Sequence, residues 1–176
     1  CAIGSGFRPL CFSVDTGYNK PEADENIMRL VEGLKVPFIR YTIDLKSFKK
    51  LQGAFLQSGV KNVEIPTDHI LMAVSYKLAA QYGIKTILSG GNVATESIMP
   101  PSWGHNARDL RHIKAIYRRF TGKKLTGLPL CGILKWNWYR WVKGIKTLYL
   151  LDLRARKYNR TKAEKYLIDL YGFKST

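Results

Sequence analysis

Two short polar segments hold the residues best suited to grip a phosphorylated ligand. Asp15-Thr16-Gly17 closes the apolar run Leu10-Cys11-Phe12-Ser13-Val14, and Ser89-Gly90-Gly91-Asn92 follows the run Ile84-Lys85-Thr86-Ile87-Leu88. Adjacent glycines let backbone amides come close to a phosphate, or simply make a tight turn with positive φ. Asp15 could reach a ribose or a base, although aspartate is also an ordinary turn residue. Glu96, four positions beyond Asn92, places a carboxylate just after a strand exit. A carboxylate there suits a hard cation bridging phosphates, or else the free amides of a helix start. His69, His105 and His112 are not at metal-ligand spacing, and there is neither an HExxH motif nor a Cys/His cluster, so no zinc site is expected.

These segments need elements to position them. The run at 10–14 reads as a buried strand, followed by a helix capped by Asn19 with Glu22 three residues on, and carrying Ile27, Leu30, Val31 and Leu34 on one face. Gly33 should weaken its last turn. A second strand over 36–43 and a helix with Phe48, Leu51, Phe55 and Leu56 before Gly59 continue the alternation. Thr67 is expected to cap a third helix, with Ile70, Leu71, Val74, Leu78 and Tyr82 sharing a face and Gly83 as its stop. The strand at 84–88 comes next. Asn106 should cap a helix that faces Leu110, Ile113, Ile116, Tyr117 and Phe120 inward, with His112 on its surface, and ends at Gly122. Beyond it, 147–153 resembles a strand and 161–170 a final helix. Alternation of this kind predicts an α/β fold, a parallel sheet flanked by helices, with ligands at the carboxyl ends of the strands.

The chain has 176 residues, 45% of them hydrophobic, enough for one domain with a real core. Its formal net charge is +16, and the excess is lopsided. Residues 1–106 carry 11 Lys/Arg and 9 Asp/Glu, whereas residues 107–176 carry 18 and 4. The expectation is a nucleotide-binding core over 1–106, incomplete at its N-terminus, and a basic helical C-terminal extension of the same domain over 107–176. In Lys135-Trp136-Asn137-Trp138-Tyr139-Arg140-Trp141-Val142-Lys143, bases alternate with aromatics. That stretch suits a core-anchored solvated helix, a helix lying on a membrane surface, or a phosphate-rich partner. Three cysteines, with no CxxC pair, argue against a disulfide scaffold and for a reducing, cytoplasmic setting. No run nears the ~18 apolar residues of a membrane span, and no signal peptide is evident.

The glycine segment is not the SGGxDS phosphate loop of the ATP-pyrophosphatase enzymes, because Asn92-Val93-Ala94-Thr95-Glu96-Ser97 follows it rather than Asp-Ser. It resembles a later motif of that superfamily, as Asp15-Thr16-Gly17 resembles the motif near the adenosine. Five further runs are more specific: Ile65-Pro66-Thr67-Asp68-His69; Tyr82-Gly83-Ile84-Lys85; Ser89 through Glu96; Ile98-Met99-Pro100-Pro101-Ser102-Trp103-Gly104; and Trp141-Val142-Lys143-Gly144-Ile145-Lys146. Together they resemble the N-acetyl sugar amidotransferase family of surface-polysaccharide (lipopolysaccharide, O-antigen) biosynthesis, over nearly the whole chain.

That resemblance implies a HUP-like fold of the PP-loop ATP-pyrophosphatase type, and an enzyme that uses ATP and magnesium to turn an acetamido group of a nucleotide-linked sugar into an acetamidino group. Asp15, Thr16, Gly17, Ser89, Gly90, Gly91 and Asn92 would bind the nucleotide, and Glu96 would hold magnesium. Glu96, Asp68 and His69 form the catalytic set; Asp68 and His69, in the first turn of the third helix, either cap that helix or, where its end faces the active rim, contact the sugar or its diphosphate. Trp103 would stack on a sugar or uracil face, with His105 and Asn106 as hydrogen-bonding neighbours, or else anchor its loop. The implied partners are a separate glutaminase and a cyclase-like subunit that delivers ammonia. One departure stands out: the SGGxDS loop should precede the strand at Leu10, and residues 1–8 do not contain it. The expectation is therefore a portion of such an enzyme, without its first strand. Two rivals are a tRNA-modifying enzyme of the same superfamily, disfavoured by the missing CxxC pair, and a non-catalytic binding module.

Overall fold

In a computed structural model the described residues are 2–91, 106–150 and 159–174. They form a mixed α/β structure in the order β1 (Cys11–Asp15), α1 (Pro21–Leu34), β2 (Phe38–Thr42), α2 (Leu45–Ser58), α3 (Ile65–Gln81), β3 (Thr86–Ser89), α4 (Leu110–Thr121), α5 (Ile133–Asn137), β4 (Lys146–Tyr149) and α6 (Arg160–Tyr171). A π turn over Trp138–Val142 extends α5, closed by the Lys143 amide donating to the Trp138 carbonyl at 3.1 Å.

Strand pairing is parallel, as the alternation predicts, but among the described residues it gives two two-stranded sheets rather than one sheet. β1 pairs with β2, Cys11 opposite Phe38 through Asp15 opposite Thr42. β3 pairs with β4, Thr86 opposite Lys146 through Ser89 opposite Tyr149. Ribbons this small are weakly stable alone, and α3 joins them. Ile70, Val74 and Leu78 pack with Val14, Ile43 and Phe48 beneath β1 and β2. Ala73, Tyr76 and Ala79 pack with Cys131, Tyr139 and Ile145, against which Ile87 of β3 also lies. Ile65, at the head of α3, joins the α2–α4 core of Leu51, Phe55, Ile113 and Tyr117. Burying side chains such as Phe48, Leu51 and Phe55, each 0% exposed, contributes about 1.5–3 kcal/mol apiece.

Between the two sheets, β1 and β3 face an apolar slot of about 620 Å³. Leu10, Cys11 and Phe12 line one side, Thr86, Ile87 and Leu88 the other, and Leu78 and Ala79 of α3 the floor.

Three helix starts differ from the sequence reading. α1 begins after Lys20 with Pro21 in its first turn, and Asn19 instead donates to Asp24 at 3.1 Å. α3 begins at Ile65 with Pro66 in its first turn, which puts Thr67 inside the helix, accepting from Gln52 at 3.2 Å. Asp109, not Asn106, caps α4, accepting from the amides of Arg111 and His112 at 2.9 and 3.1 Å. Phe120, expected inside, is exposed, as are Leu71 and Tyr82 of the apolar face read along the third helix. His112, expected on the surface, is half-buried with its ring edge-on to Phe55 at 6.0 Å.

Gly33 is a place of close approach. A Cβ there would lie 2.6 Å from the Tyr171 ring of α6. Asn26, buried on the same helix, clamps the chain beyond α6: it donates to the Lys174 carbonyl at 2.9 Å and accepts from its amide at 2.8 Å.

Candidate functional site

The carboxyl ends of β1 and β2 form one rim, since Asp15 stands opposite Thr42 in register. Asp15 accepts the Gly17 amide at 2.9 Å, an Asx-type turn that needs Gly17 at φ +75°. A Cβ on Gly17 would also meet the Leu45 side chain at 3.2 Å. One Asp15 oxygen is thus committed to the turn, and the carboxylate is left at the strand exit.

Beside this rim lies a polar cavity of about 410 Å³ that sequence reasoning missed. Its walls are Tyr41, Thr42 and Asp44 from the end of β2, Lys77 from α3, the 127–130 segment and Lys135 from α5. Lys77 donates to the Tyr41 hydroxyl at 2.7 Å. Asp44 caps α2, accepting from the Lys46 and Ser47 amides at 3.0 and 3.3 Å and from the Ser47 hydroxyl at 2.7 Å. These bonds hold its carboxyl below the usual aspartate range. Gly127, at φ +79°, passes so close that a Cβ would lie 3.3 Å from Asp44 Oδ2. With Asp44 engaged by the helix start, Lys77 and Lys135 bring positive charge to a strand-end hollow, the setting in which an anion such as a nucleotide phosphate is held. The signal that could have found it is modest: Lys77 interrupts the apolar pattern of α3.

Ser89, Gly90 and Gly91 follow β3 at the carboxyl end of the other sheet, where the Gly91 amide donates to the Ser89 hydroxyl at 3.2 Å. Neither Asp15–Gly17 nor Ser89–Gly91 lines the slot or the polar cavity. Asn92, Glu96, Trp103 and His105 lie outside the described residues, so the magnesium position and most of the sugar-facing group do too. Asn106 makes a turn ahead of α4, accepting the Arg108 amide at 2.9 Å. Among the described residues no group of three or more His, Cys, Asp and Glu side chains could hold a metal ion, and no helix is long and apolar enough to cross a membrane.

The two residues assigned to catalysis on α3 have distinct environments. Asp68 keeps exposed surface, yet the surrounding protein and the nearby Glu64 push its carboxyl above the ordinary value. His69 is 0% exposed. Its Nδ1 donates to the Ala107 carbonyl at 2.6 Å, and its Nε2 accepts the Cys131 amide at 3.2 Å. Both nitrogens are engaged, the acceptor role of Nε2 requires the neutral ring, and burial holds its pKa down. In this arrangement His69 joins three segments and has no nitrogen left for a substrate. Neither a family model, nor a curated protein, nor a solved structure matches the chain.

Proposed function

We propose that this chain belongs to an ATP-dependent amidotransferase acting on the acetamido group of a nucleotide-linked sugar. The observation that carries the reading is the basic, polar hollow of Thr42, Lys77 and Lys135 next to the Asp15–Gly17 turn, at the carboxyl ends of parallel strands. The acetamido oxygen attacks the α-phosphorus of ATP, forming an O–P bond as pyrophosphate leaves. Ammonia then adds to the activated carbon, AMP departs with the oxygen, and loss of a proton leaves the amidine. An amide oxygen is a poor leaving group, and adenylylation removes that obstacle. Lys77 and Lys135 would offset phosphate charge, and Asp15 would contact the adenosine. Glu96, by the family resemblance, is the residue for magnesium, which would balance charge on the leaving pyrophosphate.

The apolar slot supports the same reading. A further parallel strand laid between β1 and β3 would merge two ribbons into one five-stranded, HUP-like sheet, and its carboxyl end would bring a phosphate loop to the rim beside Asp15. The test is incubation of the full-length enzyme with ATP, magnesium, ammonia and a panel of nucleotide-linked acetamido sugars. AMP and an amidine product are expected; absence of AMP across the panel would sink the proposal. The second half of the chain, with 18 Lys/Arg against 4 Asp/Glu, favours one other reading, a tRNA-modifying enzyme of the same superfamily. Steeply salt-dependent tRNA binding together with tRNA-stimulated AMP release would mark that case.

A further inference from the structure

α5 and its π turn carry apolar side chains on two sides. The inward side is ordinary core: Tyr139 is 4% exposed and stacks on Tyr76 at 5.8 Å, and Trp136 packs against the same cluster. The outward side is not. Leu134 is 82% exposed, Trp141 78%, Val142 69% and Trp138 43%. A folded chain gains nothing from presenting four such side chains to water along one short helix, so this face is built for a partner.

The charges beside it say what kind. Lys135, Arg140 and Lys143 lie on the same ten residues, and no acidic residue does. They are not drawn into ion pairs among the described residues. They rest instead over rings: Arg140 over Trp136 at 5.2 Å, Lys143 over Trp138 at 5.0 Å and Lys135 near the Tyr139 ring at 5.9 Å. Lys143 lies over a ring of the exposed face and the exposed Arg140 is the chain neighbour of Trp141, so a cationic flank beside exposed Trp and Leu matches a surface with apolar depth and an anionic skin. Tryptophan is favoured where one part of its ring is apolar and the other wet.

We infer that Leu134, Trp138, Trp141 and Val142 insert into the interfacial layer of an anionic lipid bilayer, with Arg140 and Lys143 at the headgroups. The inference does not depend on the amidotransferase reading. The experiment is co-sedimentation of the full chain with phosphatidylcholine vesicles containing about one-third phosphatidylglycerol, and with pure phosphatidylcholine vesicles. Strong binding to the first and weak binding to the second are expected, with a several-fold loss as salt rises from about 0.1 to about 0.5 M. Leu134→Asp/Trp141→Asp should lower partitioning at least about tenfold, reflecting two lost apolar insertions. Leu56→Asp, on an exposed apolar residue of α2, should leave it unchanged, and far-UV circular dichroism checks that both variants fold. No binding to the anionic vesicles, or binding that the double variant retains in full, overturns the inference. So does a concentration-dependent dimer in sedimentation velocity that the double variant abolishes, since the face would then belong to a second copy.

Discussion

His69 Nε2 accepts the backbone amide of Cys131 at 3.2 Å, while its Nδ1 reaches the Ala107 carbonyl at 2.6 Å. One buried imidazole thus ties the head of α3 to the chain just before α4 and to the loop that launches α5. Replacing it leaves an amide and a carbonyl without partners in a dry place. His69→Ala should cost about 2–5 kcal/mol of unfolding free energy, combining lost packing with unsatisfied polar groups. Urea unfolding followed by circular dichroism measures it. A loss below about 0.5 kcal/mol would mean that water repairs the site.

The same residue sets a pH dependence. Burial lowers the His69 pKa in the folded protein below that of the unfolded chain. The unfolded state then binds the extra proton more readily, so the stabilising contribution is complete above the ordinary histidine range, near pH 6.5, and is lost progressively as pH falls below it. Asp68 acts in the opposite sense, since its raised carboxyl pKa favours the folded state at low pH and loses that contribution as pH rises through the folded value. Urea midpoints at pH 7.5 and 5.5 should fall toward the acid side in the native protein, and less steeply in a His69→Gln variant that still folds.

Asn26 and Gly33 dock the last helix on α1. Asn26→Ala removes both bonds to Lys174, whose backbone can return to water, so a loss of about 1 kcal/mol is expected. Gly33→Val drives a side chain into the Tyr171 ring and should release α6 altogether. Limited proteolysis reads both, with faster cleavage between α6 and the preceding segment; unchanged cleavage in the Gly33 variant would contradict the docking.

Lys77→Met and Lys135→Met each remove a positive charge from the strand-end hollow. Under the proposed function each should weaken ATP binding about tenfold, equivalent to about 1.4 kcal/mol, in isothermal titration of the full-length enzyme. Lys123, on the exposed turn after α4, serves as the control for charge alone. Equal weakening by Lys123→Met would show that net charge, not this cavity, attracts the nucleotide.

The sequence by itself determined the alternation of strands and helices, because period and punctuation are local: an apolar run ended by Asp15-Thr16-Gly17 has few conformations, and Gly59 and Gly122 stop helices through positive φ. It also placed Asp15 and Ser89 at strand ends. Only the tertiary structure decided which residues cap, since Pro21 opens α1 one residue past the Asn19 cap position and Pro66 opens α3 before Thr67 is reached. Only it showed α3 buried on several sides, where a single-face pattern fails because the helix serves three clusters at once. His69 read as chemistry while it was known only as a histidine beside an aspartate. Its role depends on Ala107 and Cys131, 38 and 62 residues away, and hydrogen-bond satisfaction over such separations leaves no periodic trace in a chain.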